Sequence, residues 1–214
     1  MRPWGPPAHP PHDPGRISAL SGSRLFESGR CAGEVQAVLD FLARPCPASL
    51  EIGFDHGMCL LDRARGMPDH LHLGVEIREA RVQRLQPHVP RNCLAWRADA
   101  RAALATVIPA GRLAAIYVLF PDPVWTEAHR QRHLLFSPAF LRLCAAALEP
   151  AGVLHVATDI HPYFEWISGL FLAASWKLAH PPPLGAELSR RDRVCTRDKI
   201  PVYRGSWTPS LPAT

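Results

Sequence analysis

The run Leu113-Ala-Ala-Ile-Tyr-Val-Leu-Phe120 is apolar on both faces and is cut off by Pro121-Asp122-Pro123. Such a run suits a strand buried in the middle of a parallel sheet, where neither face meets water. The two prolines forbid both a longer ladder and an immediate helix, because each lacks an N–H and restricts the residue before it. Asp122 is therefore predicted on a stiff turn at the carboxyl end of a central strand, where open α/β sheets bind ligands. A carboxylate between two prolines has little freedom to lose, which suits a group that must orient something. The plainer reading of the same stretch is a turn acid that caps the next helix.

The rest of the chain alternates strand and helix. Residues 34–42 have helical spacing in Val35, Val38, Leu39 and Leu42, and Pro45 and Pro47 end it. A strand at 48–53 runs into the turn Gly53-Phe-Asp-His-Gly57, and 58–64 reads as a helix. Strand, glycine turn and helix together offer backbone N–H groups and a helix N-terminus to a ligand. The second strand, 71–77, carries Glu76 near its carboxyl end, where an acid accepts both hydroxyls of a ribose. A helix at 79–87 and a strand at 92–97 lead to Asp99, an acceptor for an exocyclic amine. The strand at 113–120 is followed by a helix at 134–148, a fifth strand at 153–158 ending in Thr158-Asp159, and a helix at 161–173. Short strands at 176–179 and 200–207 complete seven. The expected fold is α/β: a Rossmann-like, doubly wound, mostly parallel seven-stranded sheet with helices on both faces.

Composition bounds the function. With 47% hydrophobic and 20% charged residues the chain is globular in type. No apolar run reaches the roughly 18 residues of a membrane span, and no signal peptide is visible, so a cytoplasmic protein is expected. Six scattered cysteines without ligand spacing point to reduced thiols and no metal. Residues 1–30 are Pro-rich and polar and read as a disordered tail, with one domain over 31–214. The net charge of +5 is carried almost wholly by arginine. Basic clusters at His129, Arg130, Arg132 and His133 and at Arg190, Arg191, Arg193, Arg197 and Lys199 suit a polyanion or a solvated surface.

The order of glycine turn, ribose acid, amine acid and fourth-strand aspartate resembles class I S-adenosylmethionine-dependent methyltransferases. Leu50-Glu-Ile-Gly-Phe54, Gly74-Val-Glu-Ile77, Phe120-Pro-Asp-Pro123 and Ala157-Thr-Asp159 with Tyr163 are together similar to the bacterial tRNA (guanine-N7)-methyltransferase family. The resemblance covers about residues 48–173 well and the C-terminal part loosely. It implies S-adenosyl-L-methionine as cofactor, held by Glu51, Gly53, Gly57, Glu76 and Asp99. It implies tRNA as substrate and partner, no membrane, and a monomer or homodimer. Asp122 falls on the residue taken as catalytic; Thr126, Asp159 and Thr196 fall on substrate-binding positions. Arg130 and Arg132 fall in the basic segment that meets RNA.

The chain departs from the family pattern at four places. The middle glycine of Gly-x-Gly-x-Gly is Asp55, whose carboxylate adds bulk and repels the cofactor's own carboxylate. Val124 and Thr126 replace a tryptophan and a lysine, Ala128 and Gln131 replace basic residues, and Lys199 reverses a glutamate. A catalytically degenerate RNA-binding protein of the same fold, or a methyltransferase on another substrate, remain the alternatives.

Overall fold

A computed structural model of the chain describes residues 29–122, 135–179 and 189–210. The proposed N-terminal tail, apart from its last two residues, lies outside them, as do Thr126, Arg130 and Arg132. Helix α1 spans Gly29–Leu42, then come β1 (Ala48–Ile52), α2 (Met58–Gly66), β2 (Leu71–Glu76), α3 (Glu79–Leu85) with a 3-10 turn at Gln86–His88, and β3 (Cys93–Arg97). They are followed by α4 (Ala100–Thr106), β4 (Leu113–Leu119), α5 (Pro138–Ala147), β5 (Leu148–Thr158), α6 (His161–Ala173), β6 (Lys177–Leu178), α7 (Arg190–Asp198) and β7 (Tyr203–Thr208).

The seven strands form one sheet in the order β3-β2-β1-β4-β5-β7-β6. Strands β1 to β5 pair in parallel, and β7 runs antiparallel to both β5 and β6. Strands β1 and β2 are buried along their whole length, as interior strands of a parallel sheet covered on both faces are. One face packs the larger cluster, including Leu50, Leu73, Ile116, Val156, Phe140 and Phe171. The other packs Phe54, Leu60, Leu61, Ala64 and Leu85 from the β1–α2 region and α3. The chain winds outward in both directions from β1 and β4, so the crevice at their carboxyl ends is the switch point of the sheet.

Several elements differ from the sequence reading, and helix α1 already begins at Gly29 and not at 34. Helix α4 is an element that the sequence reading lacks, and the basic stretch at 190–199, given no element there, holds helix α7. Helix α5 begins at Pro138 and not at 134, because Ser137 caps it by accepting a hydrogen bond from the Phe140 amide at 3.1 Å. Strand β5 already starts at Leu148, pairing with Leu113 before a register shift carries Val153 opposite Ala115.

Candidate active site

The carboxyl edge of the sheet gathers the acids. Glu76 closes β2, Asp99 follows β3, Asp122 follows β4 and Asp159 follows β5. The turn after β1 has left-handed backbone at Gly53 (φ 71°), Asp55 (φ 51°) and Gly57 (φ 72°). Alternate left-handed positions explain the glycine spacing, and aspartate is among the few other residues that tolerate this region. A Cβ at Gly53 would meet nothing within 4 Å, so space is open there. At Gly57 it would strike Leu85 of α3, so glycine is required both for φ and for close packing.

Glu76 is buried and holds the turn to the sheet. Its Oε2 accepts from the Asp55 amide at 3.3 Å and from Arg78 Nη2 at 3.4 Å; its Oε1 accepts from the Arg78 amide at 3.0 Å and Nε at 3.1 Å. Arg78 is held above the usual guanidinium range by its hydrogen bonds to Glu76, and the Asp122 charge adds to this. Asp122 is exposed. Its charge also reaches the buried Tyr163 on α6, whose hydroxyl is pushed up first by burial and then by Asp122. Asp122 thus lies electrostatically between the β2 and β5 ends of the rim.

The backbone that presents Asp122 is strained. Phe120 has φ 51°, unusual for a bulky residue and further disfavoured by the proline that follows. Its amide still donates to the Ala157 carbonyl at 2.7 Å, so β4 stays tied to β5 up to the point where the chain turns. Strain of this kind costs roughly 1–3 kcal/mol and persists only where surrounding structure enforces it.

Asp99 caps α4, its carboxylate accepting from the Arg101 amide at 2.8 Å, the Ala102 amide at 3.3 Å and Arg101 Nη2 at 3.0 Å. Burial alone would raise its pKa, but these bonds hold it below the usual carboxylate range. Asp159 is paired with Arg191 of α7, whose Nε donates to Oδ2 at 3.1 Å and whose Nη2 contacts the same oxygen. Arg191, read from sequence as part of a polyanion surface, is therefore the partner of a candidate substrate residue. Thr196 lies on the same helix but is exposed. Helix α7 reaches back to the glycine turn, where Arg190 Nη1 donates to His56 Nε2 at 2.8 Å. Burial and then the nearby arginines lower the His56 pKa, which suits a neutral ring accepting that bond.

Glu51 does not face the solvent. It is 3% exposed and its Oε2 meets the guanidinium of Arg63 from α2, which is itself 1% exposed. Burial would lower the Arg63 pKa, but the Glu51 carboxylate reverses this and keeps the guanidinium charged. Arg63 also lies over the Tyr117 ring at 3.6 Å, Tyr117 stacks on His155 at 4.7 Å, and His155 Nδ1 and Ser206 Oγ are hydrogen-bonded at 2.8 Å. The register places Glu51 beside Tyr117, Tyr117 beside His155, and His155 beside Ser206. A polar row thus crosses four strands beneath the crevice.

Sequence reasoning missed this row, together with Arg63, Arg78, Arg81 and the exposed Ile77 beside Glu76. Its one visible trace is the polar alternation Ser49 and Glu51 against Leu50 and Ile52.

Residues 45–181 match the family described as “Putative methyltransferase”. The chain belongs to this family. Among relatives of this chain, the tRNA (guanine-N(7)-)-methyltransferase of Methylococcus capsulatus is 40% identical over 124 residues, 56% of this chain and 53% of that one. The enzyme of the same name from Chromohalobacter salexigens is 30% identical over 160 residues, 71% of this chain and 65% of that one. The chain thus spans only about half the length of the first of these relatives. Among solved structures, the 16S rRNA methyltransferase KamB superposes with a TM-score of 0.57 at 21% identity, covering 86% of this chain and 94% of that one. A 16S rRNA (adenine(1408)-N(1))-methyltransferase from Catenulisporales acidiphilia, solved with the cosubstrate SAM, gives 0.57 at 15% identity, covering 84% and 93%. At such identities these likenesses show the fold, which is the Rossmann-like class I methyltransferase fold.

Proposed function

We propose that the chain is an S-adenosyl-L-methionine-dependent tRNA (guanine-N7-)-methyltransferase working in the cytoplasm. The observation that carries this reading is Asp122, an exposed carboxylate on a strained turn at the switch point, within electrostatic reach of both Arg78 beside Glu76 and Tyr163 beyond β5. The name shared by the relatives supports it, and the family match over residues 45–181 includes these positions.

The residues present fit the cofactor. Open space above Gly53, a left-handed turn, the Glu76 carboxylate and the exposed apolar Ile77 form a cradle for an amino-acid tail, a ribose and a planar base. Glu76 accepts from the ribose once Arg78 yields its place, and Gly53 and Gly57 let the tail lie close to the backbone. The Asp99 Oδ2 side is assigned to the exocyclic amine, and Glu51 supports the turn from below through Arg63. The bound cofactor supplies an electrophilic methyl group.

Guanine N7 carries a lone pair and no proton, so the protein needs no strong base; it must place the ring and exclude water. We assign Asp122 to accept from guanine N1–H and the exocyclic amine. Adenine offers an acceptor where guanine offers N1–H and is rejected. Arg191 contacts only Oδ2 of Asp159, and Oδ1 is assigned to the same guanine edge. Thr126, Thr196, Arg130 and Arg132 are assigned to the substrate side, where arginines give salt-sensitive, shape-directed affinity for the tRNA backbone.

The test is transfer of tritiated methyl from the cofactor to total tRNA, followed by nucleoside mass spectrometry. We expect 7-methylguanosine from the wild-type chain and none from Asp122→Ala, which should still bind cofactor by calorimetry. Unchanged turnover in Asp122→Ala would remove the assigned role. Absence of both binding heat and transfer in the wild type would leave an RNA-binding protein of the same fold.

A further inference from the structure

Asp55 occupies the middle left-handed position of the glycine turn, and its carboxylate is surrounded by cations. Arg81 of α3 pairs with Oδ1 through Nη1, and Arg78 Nη2 lies 3.8 Å from the same oxygen. His56 lies 3.6 Å from Oδ2 but accepts a bond from Arg190 on its own Nε2. Arg81 is 25% exposed at its side chain against 40% for Asp55, so the guanidinium backs the carboxylate from the protein side. Arg78 is chiefly engaged by Glu76, to which its amide, Nε and Nη2 all donate. Arg81 is thus the cation that meets Asp55 most directly.

We propose that Arg81 is a positioning residue of the cofactor crevice, holding the Asp55 carboxylate aside and neutralised so that a ligand carrying its own carboxylate can lie along the turn. This rests on the cofactor reading above. The contact of the turn with Glu76 is made by the Asp55 backbone amide, so it does not depend on where the Asp55 side chain lies. Two unpaired carboxylates in a crevice of reduced dielectric repel strongly, whereas a paired one presents almost no net charge to its neighbour. Arg78 does not replace Arg81 in this role, because its amide, Nε and Nη2 are committed to Glu76 and its Nη2 stays 3.8 Å from Asp55.

The test compares two nucleosides: S-adenosylhomocysteine, which has the amino-acid carboxylate, and 5′-methylthioadenosine, which lacks the amino-acid end. Dissociation constants are measured by calorimetry for the full chain and for Arg81→Ala, Arg81→Lys, Asp55→Gly and the Asp55→Gly/Arg81→Ala pair, with melting curves as folding controls. Arg81→Ala should weaken S-adenosylhomocysteine about tenfold or more and methylthioadenosine by less than about threefold, a gap that tracks the carboxylate. Asp55→Gly should bind at least as well as wild type, the double variant should recover the lost affinity, and Arg81→Lys should keep most of it. Equal weakening of both nucleosides, or a double variant as poor as Arg81→Ala, would reduce Arg81 to a structural residue and overturn the proposal. A wild type that binds neither nucleoside would instead overturn the cofactor reading, and the proposal with it.

Discussion

The buried His155 makes the protein acid-sensitive in a defined window. Burial, and then the fixed charge of Arg63, lower its pKa from 6.5 to about 4. The ring is 6% exposed, stacks on Tyr117 and is hydrogen-bonded to Ser206. Its folded pKa lies below its unfolded value, so the unfolded chain binds more protons between the two. Stability is therefore complete above the unfolded pKa and is lost as pH falls through the window toward about 4. Integrating across that window, the loss from this one residue between about pH 7 and about pH 4.5 is about 2 kcal/mol. His72, hydrogen-bonded to Ser49 at 2.9 Å and likewise lowered to about 4 mainly by burial, adds a second contribution of the same sign. The assay is urea unfolding followed by tryptophan fluorescence at several pH values, for wild type and His155→Asn. Asparagine keeps a hydrogen-bonding group toward Ser206 but cannot take up the proton. Its absolute stability will be lower at every pH because the Tyr117 stack is cut back, so the comparison is between slopes. The variant should lose about 2 kcal/mol less than wild type over the interval. Identical slopes would show that His155 is not held neutral, and the account of the polar row would fail.

Two further perturbations probe the same frame. Arg63→Met leaves the Glu51 carboxylate buried without its guanidinium, which should lower the urea-unfolding free energy by about 3–5 kcal/mol, and the Arg63→Met/Glu51→Gln pair should restore most of it; equal loss in both variants would refute an uncompensated charge as the cause. Phe120→Gly relieves a left-handed residue that costs roughly 1–2 kcal/mol, so thermal stability should hold or rise while methyl transfer falls through loss of the rigid turn beneath Asp122. A lower melting point with full turnover would contradict that assignment.

Particular residues show why some of this was legible in the chain and some was not. Strand β4 is apolar over both faces, and a local pattern of that kind has few other folded solutions. Glu76, Asp99, Asp122 and Asp159 are visible because each stands at or just past the end of a strand. Helix α4 escaped notice because Ala100-Arg-Ala-Ala-Leu-Ala-Thr106 has one large apolar side chain and so little periodic contrast. Helix α7 escaped for the opposite reason: it is tethered by charge, with Asp192 buried against Arg204 and Ser189 closing a capping box, and has only Cys195 as a buried apolar residue. The partners of the acids are long-range: Arg63 lies 12 residues from Glu51, and Arg191 lies 32 from Asp159. No spacing rule reaches that far.

Asp55 carries the consequence furthest. In the sequence it is a charge where glycine belongs, and its cost is calculated as if it stood alone. In the fold it keeps the left-handed backbone that the turn demands and meets Arg81, Arg78 and a neutral His56. Whether a departure from a motif damages the site therefore depends less on the residue itself than on the residue that faces it. Only the packing of α3 against the turn supplies that second residue.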